Sequence, residues 1–248
     1  MLNQYQSHNF QKIKELYQLD KVEKFLDFRI PQNKTDQMIY HIQNSDQDDV
    51  TIYEELLKIM DEPIERGEIG NFAKVMKDFK LRDPKNILDI GSGDGLRLES
   101  IVDEFPDLER VVGVDIYPPE TLSDKYEFIL IEEGKNLPFE DETFDLVIAS
   151  QSLHHIKNID KMLREIHRVL KPEGKFFIRE HDAHKNAIPF IEVVHGLYDI
   201  VLFQTLTVDE FLDIHRARYF TKNQWKTKIE RAGFTWLSER KRKRNNDM

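Results

Sequence analysis

Apolar residues recur at helical spacing in the first third of the chain and in short unbroken runs in the middle third. Between Gln11 and Phe28, the positions Ile13, Leu16, Tyr17, Leu19, Val22, Phe25 and Leu26 step by threes and fours, so one helix face is apolar. Pro31 ends that pattern. Gln43–Asp49 is polar and acidic and reads as a loop, with Asp49 placed to cap the next helix. The stripe of that helix holds Ile52, Tyr53, Leu56, Leu57, Ile59 and Met60, with Glu54 and Glu55 near its start, where the helix dipole favours negative charge. Pro63 and Gly67 interrupt it. Phe72, Val75, Met76 and Phe79 form a further stripe that leads to a turn at Leu81–Pro84. Residues 1–80 are expected as a helical extension whose stripes are packing faces.

From residue 85 the pattern alternates. Strands are expected at Asn86–Ile90, Arg110–Ile116, Tyr126–Glu132, Thr143–Ser150 and Lys175–Glu180, each a short apolar run of the kind buried on both faces of a parallel sheet. Helices are expected at Leu96–Phe105, stopped by Pro106, and at Asn158–Leu170, where Ile159, Met162, Leu163, Ile166, Val169 and Leu170 share a face. Lys171–Gly174 reads as a turn. This βα alternation predicts a parallel sheet covered by helices, with its ligand site beyond the carboxyl ends of the strands. The last third is less regular. Ile188–Phe203 is apolar, with His195 and Gly196 inside it, and Thr207–Ile214 reads as a short helix. Thr221–Gly233 reads as a helix with a capping box, Thr221 and Gln224, and a terminal glycine, followed by a closing strand at Phe234–Ser238.

Composition narrows the setting. The 248 residues suffice for one large domain with an extension. With no cysteine there is neither a disulfide nor a thiolate metal site, which fits a reducing, cytoplasmic location. The opening residues Met1–His8 do not read as a signal peptide, and no apolar run approaches the roughly 20 residues of a membrane span. Net charge is −10, and Arg240–Arg244 contribute five positive charges, which leaves −15 on the remainder. An acidic body argues against broad electrostatic binding to nucleic acid. The basic tail, residues 240–248, is expected as a solvated, disordered end that can still hold a phosphate backbone locally.

The chemistry centres on Asn86–Leu96, where an apolar run enters Asp89 and glycines follow at 91, 93 and 95. A dinucleotide fingerprint needs a glycine five positions after the first; that position is Leu96 counted from Gly91 and Leu98 counted from Gly93. No phosphate-loop G-x-x-x-x-G-K-[ST] run exists. What stands is D-x-G-x-G-x-G over Asp89–Gly95. It resembles motif I of the class I S-adenosylmethionine (SAM) methyltransferases, a likeness that covers residues 85–180 and, more loosely, 205–240.

That resemblance implies an α/β fold with a mostly parallel seven-stranded sheet, helices on both faces, and a SAM-binding domain over residues 81–239. Asp89, Gly91, Ser92, Gly93 and Gly95 would line the donor. Asp115 follows Gly95 by 20 residues at the end of the second strand, where a carboxylate can accept both ribose hydroxyls; a turn or N-cap aspartate is the other reading. Ile116 would then pack on adenine. Glu133-Gly134-Lys-Asn-Leu-Pro-Phe139 is similar to the family's D-A-x-x-L-P-F segment beside the adenine amino group, with Glu132 leaving the register open by one. Ser150-Gln151-Ser-Leu-His-His155 is similar to the family's Leu-His-His loop, which faces the transferring methyl. His154 and His155, with His181 and His184, invite a metal reading, but the motif occurs without metal in the family and none is expected.

Arg179-Glu-His-Asp-Ala-His184 closes the fifth strand, where this fold presents groups to the acceptor, so Glu180 and His181 are the catalytic candidates; a helix-capping loop through Asp182 is the alternative. Arg179–Asp182 and His195–Tyr198 also resemble a pairing in methyltransferases of large DNA viruses. The acceptor stays open. Arg240–Arg244, stacking from Tyr219 or Phe220, and the viral likeness suggest RNA, such as a cap guanine. The acidic body and the Leu-His-His loop suggest a small molecule. A catalytically silent subunit that binds a protein partner through its N-terminal helices is the reading from another class.

Overall fold

Asn86–Ile90 (β1) lies at the centre of a five-stranded sheet because its neighbours on both sides are also apolar runs. The structure, a computed structural model, describes residues 84–105, 107–119, 121–183, 188, 191 and 218–237. The helices expected before residue 81, the Thr207–Ile214 helix and the basic tail lie outside them. Described residues 84–183 and 218–237 fall in one compact unit.

After β1 come Leu96–Glu104 (α1), Arg110–Asp115 (β2), Glu127–Leu130 (β3), Phe144–Ser150 (β4), Ile159–Val169 (α2), Leu170–Arg179 (β5) and Lys222–Arg231 (α3). The strands run in the order β3-β2-β1-β4-β5, and all four pairings are parallel. From β1 the chain crosses to β2 on one side, and β4 lies on the other. The order therefore reverses between β1 and β4, which opens a crevice at their carboxyl ends.

The sheet's faces differ by alternation. Leu88, Ile90, Val112, Val114, Val147 and Ala149 face a core shared with Ile159, Leu163, Ile166 and Val169 of α2 and with Trp225 and Ile229 of α3. Ile87, Val111, Leu146 and Ile148 face Leu98 and Ile101 of α1, with Tyr126. Burial of each such Leu or Ile contributes about 1.5–3 kcal/mol, so the stripes that predict the helices also hold them in place. Asn158 caps α2 by accepting from the Lys161 amide at 3.0 Å. At α3 the expected capping box is formed: Thr221 Oγ1 accepts from the Gln224 amide, and Gln224 Oε1 accepts from the Thr221 amide at 2.8 Å.

Several expectations change. The third strand is shorter than Tyr126–Glu132. The expected turn at Lys171–Gly174 lies inside β5 as an irregularity: Phe144 pairs with Leu170 and Leu146 with Lys175, so one residue of β4 faces four of β5. Glu173 takes a positive φ of 65° there. The closing strand at Phe234–Ser238 is not formed over 234–237. Phe234 and Trp236 pack on the core from irregular chain instead, with the Phe234 ring 5.2 Å from that of Phe176. Alternating burial needs only a surface beneath it, whereas a strand also needs backbone pairing with a sheet edge, which residues 234–237 do not make. Five strands are present among the described residues, against the seven expected. No described helix is long and apolar enough to cross a membrane.

Candidate donor and acceptor sites at the sheet's carboxyl edge

The chain leaves β1 through Gly91, Gly93 and Gly95, whose φ values are 70°, 56° and 77°. Left-handed backbone costs other residues about 1–2 kcal/mol each, so three alternate glycines make this turn affordable. Their surroundings separate two roles. A Cβ on Gly95 would enter the Tyr126 ring, and one on Gly91 would meet Ser152. At Gly93 a Cβ would meet nothing within 4 Å. Gly91 and Gly95 are required by packing, whereas Gly93 leaves exposed backbone that a ligand can approach. The turn is anchored to the end of β2 by the Gly91 and Ser92 amides, which donate to the Val114 carbonyl at 2.8 and 3.2 Å.

Asp89 is fully buried on the α1 face of β1. Burial pushes its carboxyl up to about 7, while the Arg97 guanidinium beside it pulls the other way. Arg97 Nη1 donates to both carboxylate oxygens, at 3.0 and 2.8 Å. Asp89 therefore lies under the glycine turn and ties it to the first turns of α1. Ser92 Oγ and the Tyr126 hydroxyl flank the same turn, buried and without a hydrogen-bond partner.

Asp115 ends β2 beside the turn. Its Oδ2 accepts from the Gly93 amide at 3.0 Å, and its Oδ1 from the amides of Ile116 and Tyr117. The carboxylate is thus fixed against the open glycine, and next to it Ile116 presents apolar surface, 45% exposed. Asp115, Gly93 and Ile116 come together as the sequence reading requires. They fit the ribose and base of a nucleoside donor: an acceptor pair for vicinal hydroxyls, backbone without a Cβ, and an apolar platform.

Glu133 and Gly134 form the corner of a tight turn, in which the Lys135 amide donates to the Glu132 carbonyl at 3.2 Å. Gly134 has φ 77°, as the third residue of a type II turn requires. The following segment is held from α2. Glu165 accepts from the buried Leu137 amide at 2.9 Å. Arg168 donates to the carbonyls of Leu137 and Phe139 and to the carboxylates of Asp141 and Glu165. The Arg168 hydrogen bond holds the Glu165 carboxyl below its usual range, against the effect of burial.

At the ends of β4 and β5 a second cluster forms. Ser150 is buried in the last position of β4. Gln151 takes φ 57°, unusual for a residue with a side chain, and its amide donates to the Arg179 carbonyl. Ser152 Oγ donates to the Ile90 carbonyl at 2.7 Å, which stitches this loop to the glycine turn. Leu153–His155 make one 3-10 turn. Glu180 fixes it from β5: its Oε1 accepts from the Leu153 amide at 2.8 Å, and its Oε2 lies 2.7 Å from His154 Nδ1. The side chains of His154 and Glu180 are 1% and 3% exposed. Both oxygens of Glu180 are therefore engaged inside the protein.

The rings of His155 and His181 lie 4.1 and 5.2 Å from that of His154, and Tyr219 stacks on His154 at 6.0 Å. His155 is exposed and His181 half-buried. Burial and the neighbouring His154 hold the His181 imidazole below its ordinary value, so it favours the neutral form. Asp182 does cap a helix, but a distant one: its Oδ1 accepts from the Lys222 amide at the start of α3. Phe220 packs edge-on to Trp225 at 5.0 Å.

Sequence reasoning missed Arg97, Glu165, Arg168 and Lys161. The signal was present for two of them. Asp89 interrupts an apolar strand and Glu165 borders the apolar stripe of α2, and a carboxylate buried at such a position needs a partner.

Residues 88–178 match the sequence profile of a family described as a methyltransferase domain. The chain is 34% identical over 138 residues to the sterol 4-C-methyltransferase strm-1 of Caenorhabditis elegans, which covers 50% of this chain and 40% of that protein. It is 29% identical over 116 residues to the mitochondrial 2-methoxy-6-polyprenyl-1,4-benzoquinol methylase of Homo sapiens, covering 42% and 34%. The chain thus spans less than half the length of both relatives. The crystal structure of YcgJ from Bacillus subtilis superposes with a TM-score of 0.50 at 22% identity over 68% of each chain. The parallel sheet and the three-glycine turn agree with these matches: the described chain has the class I methyltransferase fold, and its residues 88–178 match a methyltransferase domain.

Proposed function

We propose that the chain is a SAM-dependent methyltransferase. The observation that carries this reading is the fixed pairing of the Asp115 carboxylate with the amide of Gly93, the one glycine of the turn with open space before it. Asp115 would hold the ribose hydroxyls, Ile116 would face adenine, and the glycine backbone would approach the amino-acid end. Bound SAM supplies an electrophilic methyl on a sulfonium. The protein's part is to align the acceptor and exclude water, and alignment alone supplies roughly 7–11 kcal/mol in favourable cases. His181, kept neutral at the rim of the β4–β5 cluster, is the group suited to accept a hydrogen bond or a proton from the acceptor. Glu180, its side chain 3% exposed and both oxygens engaged inside the protein, serves to position the Leu153–His155 turn.

A small organic acceptor is favoured. The cluster offers rings, His155, His181 and Tyr219, and the two named relatives methylate a sterol and a quinol. RNA is the second reading, supported by the run Arg240–Arg244. Titration calorimetry with S-adenosylhomocysteine tests the donor: wild type should bind, and Asp115→Ala should lose most of that affinity. Absence of binding by wild type would overturn the proposal. Turnover of labelled SAM with metabolite, RNA and protein extracts then identifies the acceptor class. Donor binding with no transfer to any extract would favour the silent partner-binding subunit.

A further inference from the structure

The tight turn that carries Glu133 has little packing of its own. Residues 132–136 are all exposed, and a Cβ built on Gly134 would meet nothing within 4 Å. The Glu132–Lys135 ion pair on the turn is long, at 4.0 Å, with both side chains largely exposed. Its position is instead set from α2. Lys161 Nζ donates to the Gly134 carbonyl at 2.6 Å. Glu165 and Arg168 continue the same helix face at steps of four and three, and they hold the amide and carbonyl of Leu137 and the carbonyl of Phe139. Three successive side chains on one face thus bind one loop by its main chain. Backbone contacts of this kind fix where a loop lies whatever side chains it carries.

We propose that α2 is the positioning element of the donor site, and that Lys161 tunes donor affinity by holding the Gly134 carbonyl. The proposal rests on the donor reading above. Its basis is geometric: the turn directly follows Ile131, whose amide donates to the Asp115 carbonyl at 2.9 Å, so it lies beside the proposed ribose and base contacts. Glu165 and Arg168 secure the inner part of the segment, where Leu137 and Phe139 are buried, and Lys161 secures the exposed corner next to Glu133. Loss of the Lys161 bond frees that corner without touching the core, so it should change binding and leave folding almost unaffected.

The test is titration calorimetry of S-adenosylhomocysteine against wild type, Lys161→Met and Lys161→Arg, with thermal unfolding of the same samples. Lys161→Met should weaken binding roughly five-fold, the scale of one partly exposed, charge-assisted hydrogen bond. Its Tm should stay within about 2 °C of wild type, and Lys161→Arg should recover most of the affinity. Adenosine, which lacks the amino-acid end, should lose the same factor in Lys161→Met, because the contact acts at the base side. Equal affinity of wild type and Lys161→Met would overturn the proposal, and so would a loss that only tracks a falling Tm. Failure of wild type to bind at all would instead sink the donor reading, so the two failures are distinguishable.

Discussion

At the scale of single residues, the three glycines separate folding from binding. Gly95→Ala would place a methyl in the Tyr126 ring with φ at 77°, and strain plus displacement of a buried aromatic should cost about 2–4 kcal/mol. Gly93→Ala meets open space and carries only the left-handed penalty of about 1–2 kcal/mol, yet its methyl stands where a donor would approach. Thermal unfolding should therefore report mainly Gly95→Ala, and donor titration mainly Gly93→Ala. An equal ratio of affinity loss to Tm loss in the two variants would remove the distinction. The alternate glycines were legible in the sequence, but which of them faced protein and which faced space was not, because Tyr126 and Ser152 come from distant strand ends. His181 makes a pH prediction. Its value is depressed in the fold by burial and His154, with Glu180 opposing and Arg179 adding to the depression. The unfolded chain, titrating near the ordinary 6.5, takes up the proton first as pH falls. The stabilising preference for neutral His181 is thus present above 6.5 and is lost as pH drops through the lower folded value. If neutral His181 serves the acceptor, the rate should be flat above about 6.5 and fall on the acid side, and His181→Asn should lower kcat and abolish that limb. An acid limb that survives in His181→Asn would remove His181 from the chemistry.

At the scale of elements, five strands and α2 were readable from apolar spacing because each buries a run or stripe that has no other use, while α1 and α3 were readable from their stops and caps, Pro106 and the Thr221–Gln224 box with Gly233. The errors have one cause: pairing is not written in spacing. Phe234 and Trp236 alternate inward like a strand, but no described sheet edge receives them. Lys171–Gly174 has turn composition, yet β5 begins before it, at Leu170, and the turn lies within the strand beside Asp145, which Lys171 reaches at 2.9 Å. The same limit hid the bond between β5 and the loop after β4. Glu180 and Leu153 are 27 residues apart, and nothing local marks them as partners. That bond is testable. Glu180→Ala leaves the Leu153 amide and His154 Nδ1 without their buried acceptor, which should cost about 3 kcal/mol and loosen the 3-10 turn. Glu180→Gln keeps one acceptor oxygen for the Leu153 amide and should recover much of the stability. A Glu180→Ala protein with wild-type Tm and lower kcat would show instead that this carboxylate acts on the acceptor directly.

At the scale of the whole molecule, charge and the aromatic residues bear on the choice of acceptor. The chain outside residues 240–244 carries −15, so RNA would have to be drawn to one short basic run against the field of the rest. Of the two rings considered for base stacking, Phe220 is committed to Trp225 and has Lys228 Nζ 5.0 Å from its centroid, which leaves Tyr219, already stacked on His154. The charge therefore favours the small-acceptor reading proposed above, while Tyr219 serves either acceptor equally. Deleting residues 240–248 separates the readings. If RNA is the acceptor, its affinity should fall and the slope of log K against log salt should shrink by roughly 0.7 for each phosphate that the tail had neutralised. If the acceptor is small, the variant should keep its donor affinity, turnover and salt dependence. Donor affinity is the internal control in both cases, since the Gly93–Asp115 pairing is built wholly within residues 93–115. A deletion that weakened donor binding would show that the tail acts on the domain itself and would overturn both assignments of its role.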